Sequence, residues 1–348
     1  MTLLLNYRPV LRQPTGIGVY AQGVLPALQQ LPHVLIPGGD AGSASQRLRR
    51  LEWSQRQLPR LARQHRASLI FTPAPEGYLG RQAIPQVVMV HDLRPLRHPG
   101  ADLQSLYFRA WVPALLRQCR HVLTNSAFTA AEIQAATGLP DRKISVIPLG
   151  YDAERFCPAP PQPGPVDPGS PYLLHVGKAY PHKNLPRLLA AFAQLAPRHP
   201  QLLLVLAGQS HPGTVRALRR RAEGLGIAER VRWLPYVAAS ELPGLYRGAL
   251  ALVYPSLWEG FGLPILEAMA CGTPVLTSLG SACEETASDA ALLVNPASVA
   301  DLADGLAALV EHPHLRAQLR QRGLQHAASY RWPATASATA QVLLGLLG

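Results

Sequence analysis

The sequence predicts an α/β fold: two Rossmann-like, doubly wound domains, each a parallel sheet with helices on both faces, facing each other across a cleft. Three observations predict it. Short leucine-rich or β-branched runs alternate with longer segments of helical period. A proline- and glycine-rich stretch, CPAPPQPGPVDPGSP from Cys157 to Pro171, interrupts that alternation near the middle. The 348 residues, at roughly 100 to 200 per domain, suffice for two hydrophobic cores. The expected division is residues 1–157, a linker at 158–171, residues 172–330, and a last helix at 331–348.

Taken in order, the strand-length runs of the first half are TLLL (Thr2–Leu5), HVLI (His33–Ile36), SLIF (Ser68–Phe71), QVVMV (Gln86–Val90), HVLT (His121–Thr124) and ISVI (Ile144–Ile147). Those of the second are YLLHV (Tyr172–Val176), LLLVL (Leu202–Leu206), VRWL (Val231–Leu234), ALALVY (Ala249–Tyr254), PVLT (Pro274–Thr277) and ALLV (Ala291–Val294). These runs are predominantly apolar, as strands buried on both faces are. In such folds ligands bind at the carboxyl ends of the strands, so function is expected in the cleft.

Composition excludes several classes. At 48% hydrophobic and 16% charged the chain is too apolar for disorder. No apolar run reaches the roughly 18 residues of a membrane helix. Asn6, Tyr7 and Arg8 follow Met1–Leu5 at once, unlike a signal peptide, so a cytoplasmic protein is expected. Cys119, Cys157, Cys271 and Cys283 form no C-x-x-C pair, and neither zinc nor a disulfide framework is expected. The net charge is +12, and residues 1–157, with 18 basic and 9 acidic side chains, hold +9 of it. That asymmetry fits an anionic partner: a phosphorylated substrate, an anionic membrane face or nucleic acid.

Gly16-Ile17-Gly18-Val19-Tyr20-Ala21 matches the G-x-G-x-x-G/A fingerprint, but Arg8–Thr15 separate it from the strand, which argues against a dinucleotide site. The glycines still suit a helix start near an anion, or simply a turn. A second segment, Leu173–Leu189, reads strand, Gly177, loop, then a helix beginning near Asn184. Two of the three lysines in the chain, against 30 arginines, sit in that loop: Lys178 and Lys183. They suit a phosphate site, or are solvated surface charges. A third segment, ALALVYPSLWEGFGLPILEAMACGTPV (Ala249–Val275), holds Glu259 and Glu267 with seven residues between them. Pro264 marks the first turn of a helix. The N–H groups of Phe261, Gly262 and Leu263 would then meet a phosphate, and Glu267, one turn in, would accept from adjacent hydroxyls.

These segments resemble the retaining glycosyltransferases of family 4, which have the GT-B fold. The resemblance is carried by VGKAYPHKNLPRLLAAF (Val176–Phe192), PSLWEGFGLPILEAMACGTPVLTS (Pro255–Ser278) and DAALLVNP (Asp289–Pro296). In the first half GIGVYAQGVLPAL (Gly16–Leu28), VHDLRPLRHP (Val90–Pro99), TNSAFTAAEI and KISVIPLGYD (Thr124–Asp152) are similar to the mannosyltransferase-like branch. It implies that residues 1–157 bind the acceptor, that residues 172–330 bind a nucleotide sugar, and that the last helix returns to the first domain. Glu267 would accept from ribose hydroxyls, and Glu259 would contact the sugar. Gly260 to Leu263, with Gly177, would line the donor site. Lys183 matches the diphosphate lysine, and Lys178 stands where arginine is usual. Gly16 and Gly18 would face the diphosphate and His91 the sugar, with Tyr236 and Val237 beside the nucleobase. Glu284 departs from the proline common in relatives.

The implied reaction moves a hexose, mannose from GDP-mannose, with retention, to a glycan or lipid-linked acceptor. With no D-x-D motif or His/Asp/Glu cluster, neither metal nor other cofactor is expected. Asp92 would orient His91 or merely cap a turn, and Asn125 and Ser126 would touch acceptor or donor, though Ser126 equally suits a helix N-cap. Residues 47–66, with seven arginines and one glutamate, read as a basic amphipathic helix interrupted near Pro59. It would either pack its leucines on the sheet or lie on the anionic inner face of a membrane. A nucleotide-sugar epimerase or hydrolase on the same fold is an alternative, as is a nucleic-acid-binding protein. No nucleic-acid recognition module supports the last, and no nucleic acid is expected.

Overall fold

The computed structural model describes residues 1–10, 16–38, 44–81, 84–97, 103–160, 166 and 169–347. Part of the expected linker, and His98 and Pro99 of the first-half motif, lie outside them. So does the end of the stretch separating the first strand from Gly16. The chain divides into two compact units: Met1–Gly150 with Arg331–Gly348, and Tyr151–Tyr330. The division precedes the expected boundary at Cys157 because Phe156 is buried and packs edge-on against Tyr246 of the second unit, 6.0 Å between centroids.

Among the described residues each unit holds a six-stranded, wholly parallel sheet. The first contains β1 (Thr2–Asn6), β2 (His33–Ile36), β3 (Ala67–Thr72), β4 (Gln86–Val90), β5 (His121–Thr124) and β6 (Ile144–Val146), in the order β2-β1-β3-β4-β5-β6. The second contains β7 (Tyr172–Val176), β8 (Leu203–Ala207), β9 (Val231–Leu234), β10 (Ala251–Tyr254), β11 (Val275–Ser278) and β12 (Leu292–Val294), in the order β12-β11-β10-β7-β8-β9. Each order reverses once, between β1 and β3 and between β7 and β10. A reversal leaves two neighbouring loops diverging to opposite faces, which opens a crevice at the strands' carboxyl ends.

Parallel strands are covered on both faces at the centre of the sheet, while the outer strands β2, β6, β9 and β12 are only partly buried. All five residues of β4 are buried. In the second unit the helix Leu185–Leu195 presents Leu185, Leu188, Leu189, Phe192 and Leu195 to the core at helical spacing. The helix Trp332–Leu347, from the far end of the chain, belongs to the first unit. There Thr335 Oγ1 donates to the Pro148 carbonyl at 2.8 Å.

The basic segment forms one continuous helix, Ala44–Gln64, with Pro59 inside it rather than at a break. Proline in a helix interior costs about 3 kcal/mol. Leu58 and Ala62 on either side are fully buried, and burial of a leucine returns roughly 1.5–3 kcal/mol. No helix of the described residues is long and apolar enough to cross a membrane.

Candidate functional site

A polar cluster of the second unit lies where its sheet order reverses. After β7 the backbone passes Gly177, a single turn at Pro181–Lys183 and Asn184, which sits left-handed at φ +61° and opens the helix Leu185–Leu195. Asparagine tolerates that conformation better than most residues. Its side-chain amide donates to the carbonyls of Pro255 (3.1 Å) and Pro296 (2.7 Å), tying the loop after β7 to those after β10 and β12. Lys183 is thereby turned inward and is 9% exposed. Its ammonium donates to Glu259 Oε1 at 2.5 Å and to the Tyr254 hydroxyl.

After β10 the chain runs through Glu259 to Gly262, whose φ of +102° places it in the left-handed region. A side chain there would also crowd Ile265 Cδ1 at 2.9 Å. The helix Leu263–Ala270 follows, with Pro264 in its first turn as expected. Leu263 is the first helical residue, so its N–H has no carbonyl to reach within the helix. Phe261 and Gly260 are buried, and the Phe261 carbonyl accepts from Thr286 Oγ1 at 2.7 Å. Glu267, half-buried one turn in, accepts from the Tyr246 hydroxyl at 2.8 Å. Burial raises the pKa of Glu267 and, more strongly, that of Tyr246, so Tyr246 keeps the proton it donates.

The structure therefore brings Lys183 and Glu259 together across 76 residues of sequence, at the mouth of the crevice between β7 and β10. Lys178 is exposed, on a cavity of about 380 Å³ lined also by Tyr180, Gln209, Ser210 and His211. Tyr236 is exposed and Val237 half-buried, in the loop after β9.

In the first unit Gly16 and Gly18 begin the helix Gly16–Leu28. His91 follows β4 directly. Its Nε2 lies 3.1 Å from the Pro73 carbonyl and its ring meets Tyr20 edge-on, 5.1 Å between centroids. A carbonyl only accepts, so Nε2 carries the proton. Burial lowers the His91 pKa to about 4, and the ring is neutral at pH 7. Asp92 Oδ1 accepts from the Arg94 amide at 3.0 Å, the turn-capping arrangement. Ser126 Oγ accepts from the Thr129 amide at 3.1 Å and so N-caps the helix Ala127–Thr137. Asn125 is buried with no partner for Oδ1. Among the described residues no group of three or more His, Cys, Asp or Glu is placed to hold a metal ion.

Sequence reading missed Asn184, Tyr246, Tyr254 and His175. A histidine inside YLLHV and a tyrosine ending ALVY, two largely apolar strands, were the available signal for His175 and Tyr254.

The description "Glycosyl transferases group 1" fits residues 160–326, and "Glycosyltransferase Family 4" fits residues 15–155. The chain is similar to O-antigen chain mannosyltransferase B of Escherichia coli, 30% identical over 268 residues that cover 74% of this chain and 70% of the relative. It is 33% identical over 211 residues to O-antigen chain mannosyltransferase RfbU of Salmonella typhimurium, covering 61% of this chain and 57% of the relative's length. Similarity to D-inositol 3-phosphate glycosyltransferase 2 of Catenulispora acidiphila is 34% over 285 residues, 76% of this chain and 67% of that one. Among solved structures, sucrose-phosphate synthase of Thermosynechococcus elongatus shares the fold at a TM-score of 0.80, with 20% identity over 99% of both chains. Anabaena HepE in complex with UDP-glucose shares it at 0.78, with 19% identity over 99% of this chain and 100% of that one.

Proposed function

Because this chain belongs to the family 4 glycosyltransferases of GT-B fold, we propose that it transfers mannose from GDP-mannose, with retention and without a metal ion, to a glycan or lipid-linked acceptor. One observation carries the reading: the Lys183–Glu259 pair at 2.5 Å, beside the left-handed turn that opens the Glu267 helix. In this reading Lys183 and Lys178, with the N–H groups of Phe261 to Leu263, face the diphosphate. Glu267 accepts from ribose hydroxyls, Glu259 from the sugar, and the neutral His91 accepts from a sugar hydroxyl at Nδ1. The naming of two relatives as O-antigen mannosyltransferases supports mannose. The inositol phosphate relatives share the family with a different acceptor in their name.

The chemistry follows from charge. As the bond from the sugar's anomeric carbon to the β-phosphate oxygen breaks, negative charge grows on the phosphate. Fixed cations and helix-start N–H groups stabilise it most in a site from which water is excluded. The acceptor oxygen bonds to the anomeric carbon on the face the phosphate leaves, and its proton passes to the departing phosphate.

Titration calorimetry with GDP, UDP and ADP and their sugar conjugates, in metal-free buffer, tests this. GDP-selective binding supports it. UDP- or ADP-selective binding replaces the donor, and no binding by any of them overturns the donor site.

A further inference from the structure

Two strand residues stand behind Lys183 in the second unit: Tyr254, the last residue of β10, and His175, the fourth of β7. Both are buried. The Tyr254 hydroxyl and the Glu259 carboxylate both accept from the Lys183 ammonium. The Tyr254 ring centroid lies 4.5 Å from the same nitrogen. One ammonium is thus shared by a carboxylate and a phenol. Burial and the neighbouring carboxylate hold the phenol protonated, so Tyr254 accepts from Lys183 through a neutral oxygen.

That neutrality matters. An ammonium has three protons to donate. Glu259 takes one and in doing so neutralises the charge that a diphosphate would seek. Tyr254 takes a second and fixes the nitrogen's position without neutralising anything. His175 holds Tyr254 in turn: the rings stack at 5.8 Å and 17°, and His175 Nδ1 lies 3.0 Å from the Val253 carbonyl, to which it donates. Nε2 of His175 is then a lone pair, buried and without a partner. A side chain at Gly177 would sit 3.7 Å from Nε2 and 3.8 Å from Lys183 Nζ, so both border the space that glycine leaves open. A neutral imidazole at that edge does not repel the ammonium.

We propose that Tyr254, braced by His175, is a positioning residue for Lys183: it keeps the ammonium from closing wholly onto Glu259 and directs its third proton toward the donor diphosphate. This rests on the reading of the site as one for a nucleoside-diphosphate sugar.

The test is calorimetry of paired nucleoside mono- and diphosphates (GMP and GDP, UMP and UDP) on wild type, Tyr254→Phe, Lys183→Ala and the double variant. Tyr254→Phe keeps the stacked ring and removes one oxygen. It is expected to leave monophosphate affinity unchanged and to lower the preference for diphosphate about tenfold, the scale of one hydrogen bond to a charged group. In the Lys183→Ala background the same change is expected to do nothing further. His175→Phe, a second variant that retains a flat ring but loses the tie to Val253, should lower the preference by a smaller factor. An unchanged preference in Tyr254→Phe, equal losses in both backgrounds, or parallel losses for mono- and diphosphate would overturn the proposal. A wild type that binds no nucleotide would instead overturn the donor-site reading beneath it, and the proposal with it.

Discussion

A lysine that is 9% exposed and paired with a carboxylate at 2.5 Å is not the solvated lysine that surface statistics would make of Lys183; Lys178, exposed five residues earlier, is closer to one. The difference decides what mutation does. Lys183→Ala removes charge stabilisation from the leaving phosphate, and turnover should fall by about 10²–10³, as when one transition-state donor is lost. It also leaves Glu259 partly buried without its cation, so the melting temperature should fall as well, unlike truncation of a surface lysine. Full activity in this variant would remove Lys183 from the mechanism. His175 supplies a pH test. Burial, with Lys183 adding to it and Glu259 and the Val253 bond opposing, lowers its pKa from 6.5 to about 4. Between those values the unfolded chain binds the proton and the folded one does not. Stability is therefore complete above pH 6.5 and is lost as pH falls toward 4, by up to about 3 kcal/mol from this residue. Denaturant unfolding of wild type and His175→Phe across pH 4–7 should show the difference between them shrinking as pH drops; a constant difference would deny the shift. Neither effect was legible beforehand, because the sequence shows residue types but not which strands are neighbours, and the lysine's partners lie 71 and 76 residues away.

Elements were more legible than pairings. All twelve strands form within two residues of the expected positions, since strands of a covered parallel sheet leave short, predominantly apolar runs. Pro264 marked the helix start, but the left-handed Gly262 before it and the Asn184 turn are backbone states that residue type only permits. Gly262→Ala should destabilise the second unit by about 1–2 kcal/mol through its left-handed φ. The crowding of Ile265 should also weaken diphosphate binding, and thermal melts with and without GDP measure both. The helix Ala44–Gln64 shows where pattern leaves a choice that packing decides. Its period allowed leucines packed on the sheet or laid on a membrane, and Leu58 and Ala62 take the first course, in the first unit's own core. Arg50 is paired with the buried Glu76 at 2.7 Å. Among the described side chains of the helix, Arg60 and Arg63 remain outward and exposed. Any binding to anionic vesicles should therefore be electrostatic: absent with neutral lipid, lost in Arg60→Glu/Arg63→Glu, and abolished by about 0.5 M salt, where the Debye length is only a few ångströms. Binding that survives high salt would point to insertion instead.

At the scale of the whole molecule, sheet order is what turns scattered motifs into a site, and it is the part periodicity cannot report. Runs of apolar residues say that strands exist; the reversal between β7 and β10 says that Lys183 and Glu259 meet. The first unit depends on a longer connection still. The helix Trp332–Leu347 lies against the helix Gly16–Leu28, with the Trp332 ring pressed so closely on Gly23 that a side chain there would come within 2.3 Å of it. Tyr20 of the same helix lies 3.4 Å, hydroxyl to hydroxyl, from Thr339 and packs edge-on against His91, so the last helix holds the residue that holds His91. Trp332→Ala should cost the first unit about 3 kcal/mol, within the range for removing a large packed aromatic. The loss should be local. Hydrogen exchange should show the helix Gly16–Leu28 and β1 losing protection, while β7 to β12 keep theirs, because local stability follows the contacts each element makes. Exchange that rises equally in both units would mean that they unfold as one, and that the last helix serves the whole chain rather than the unit it packs in.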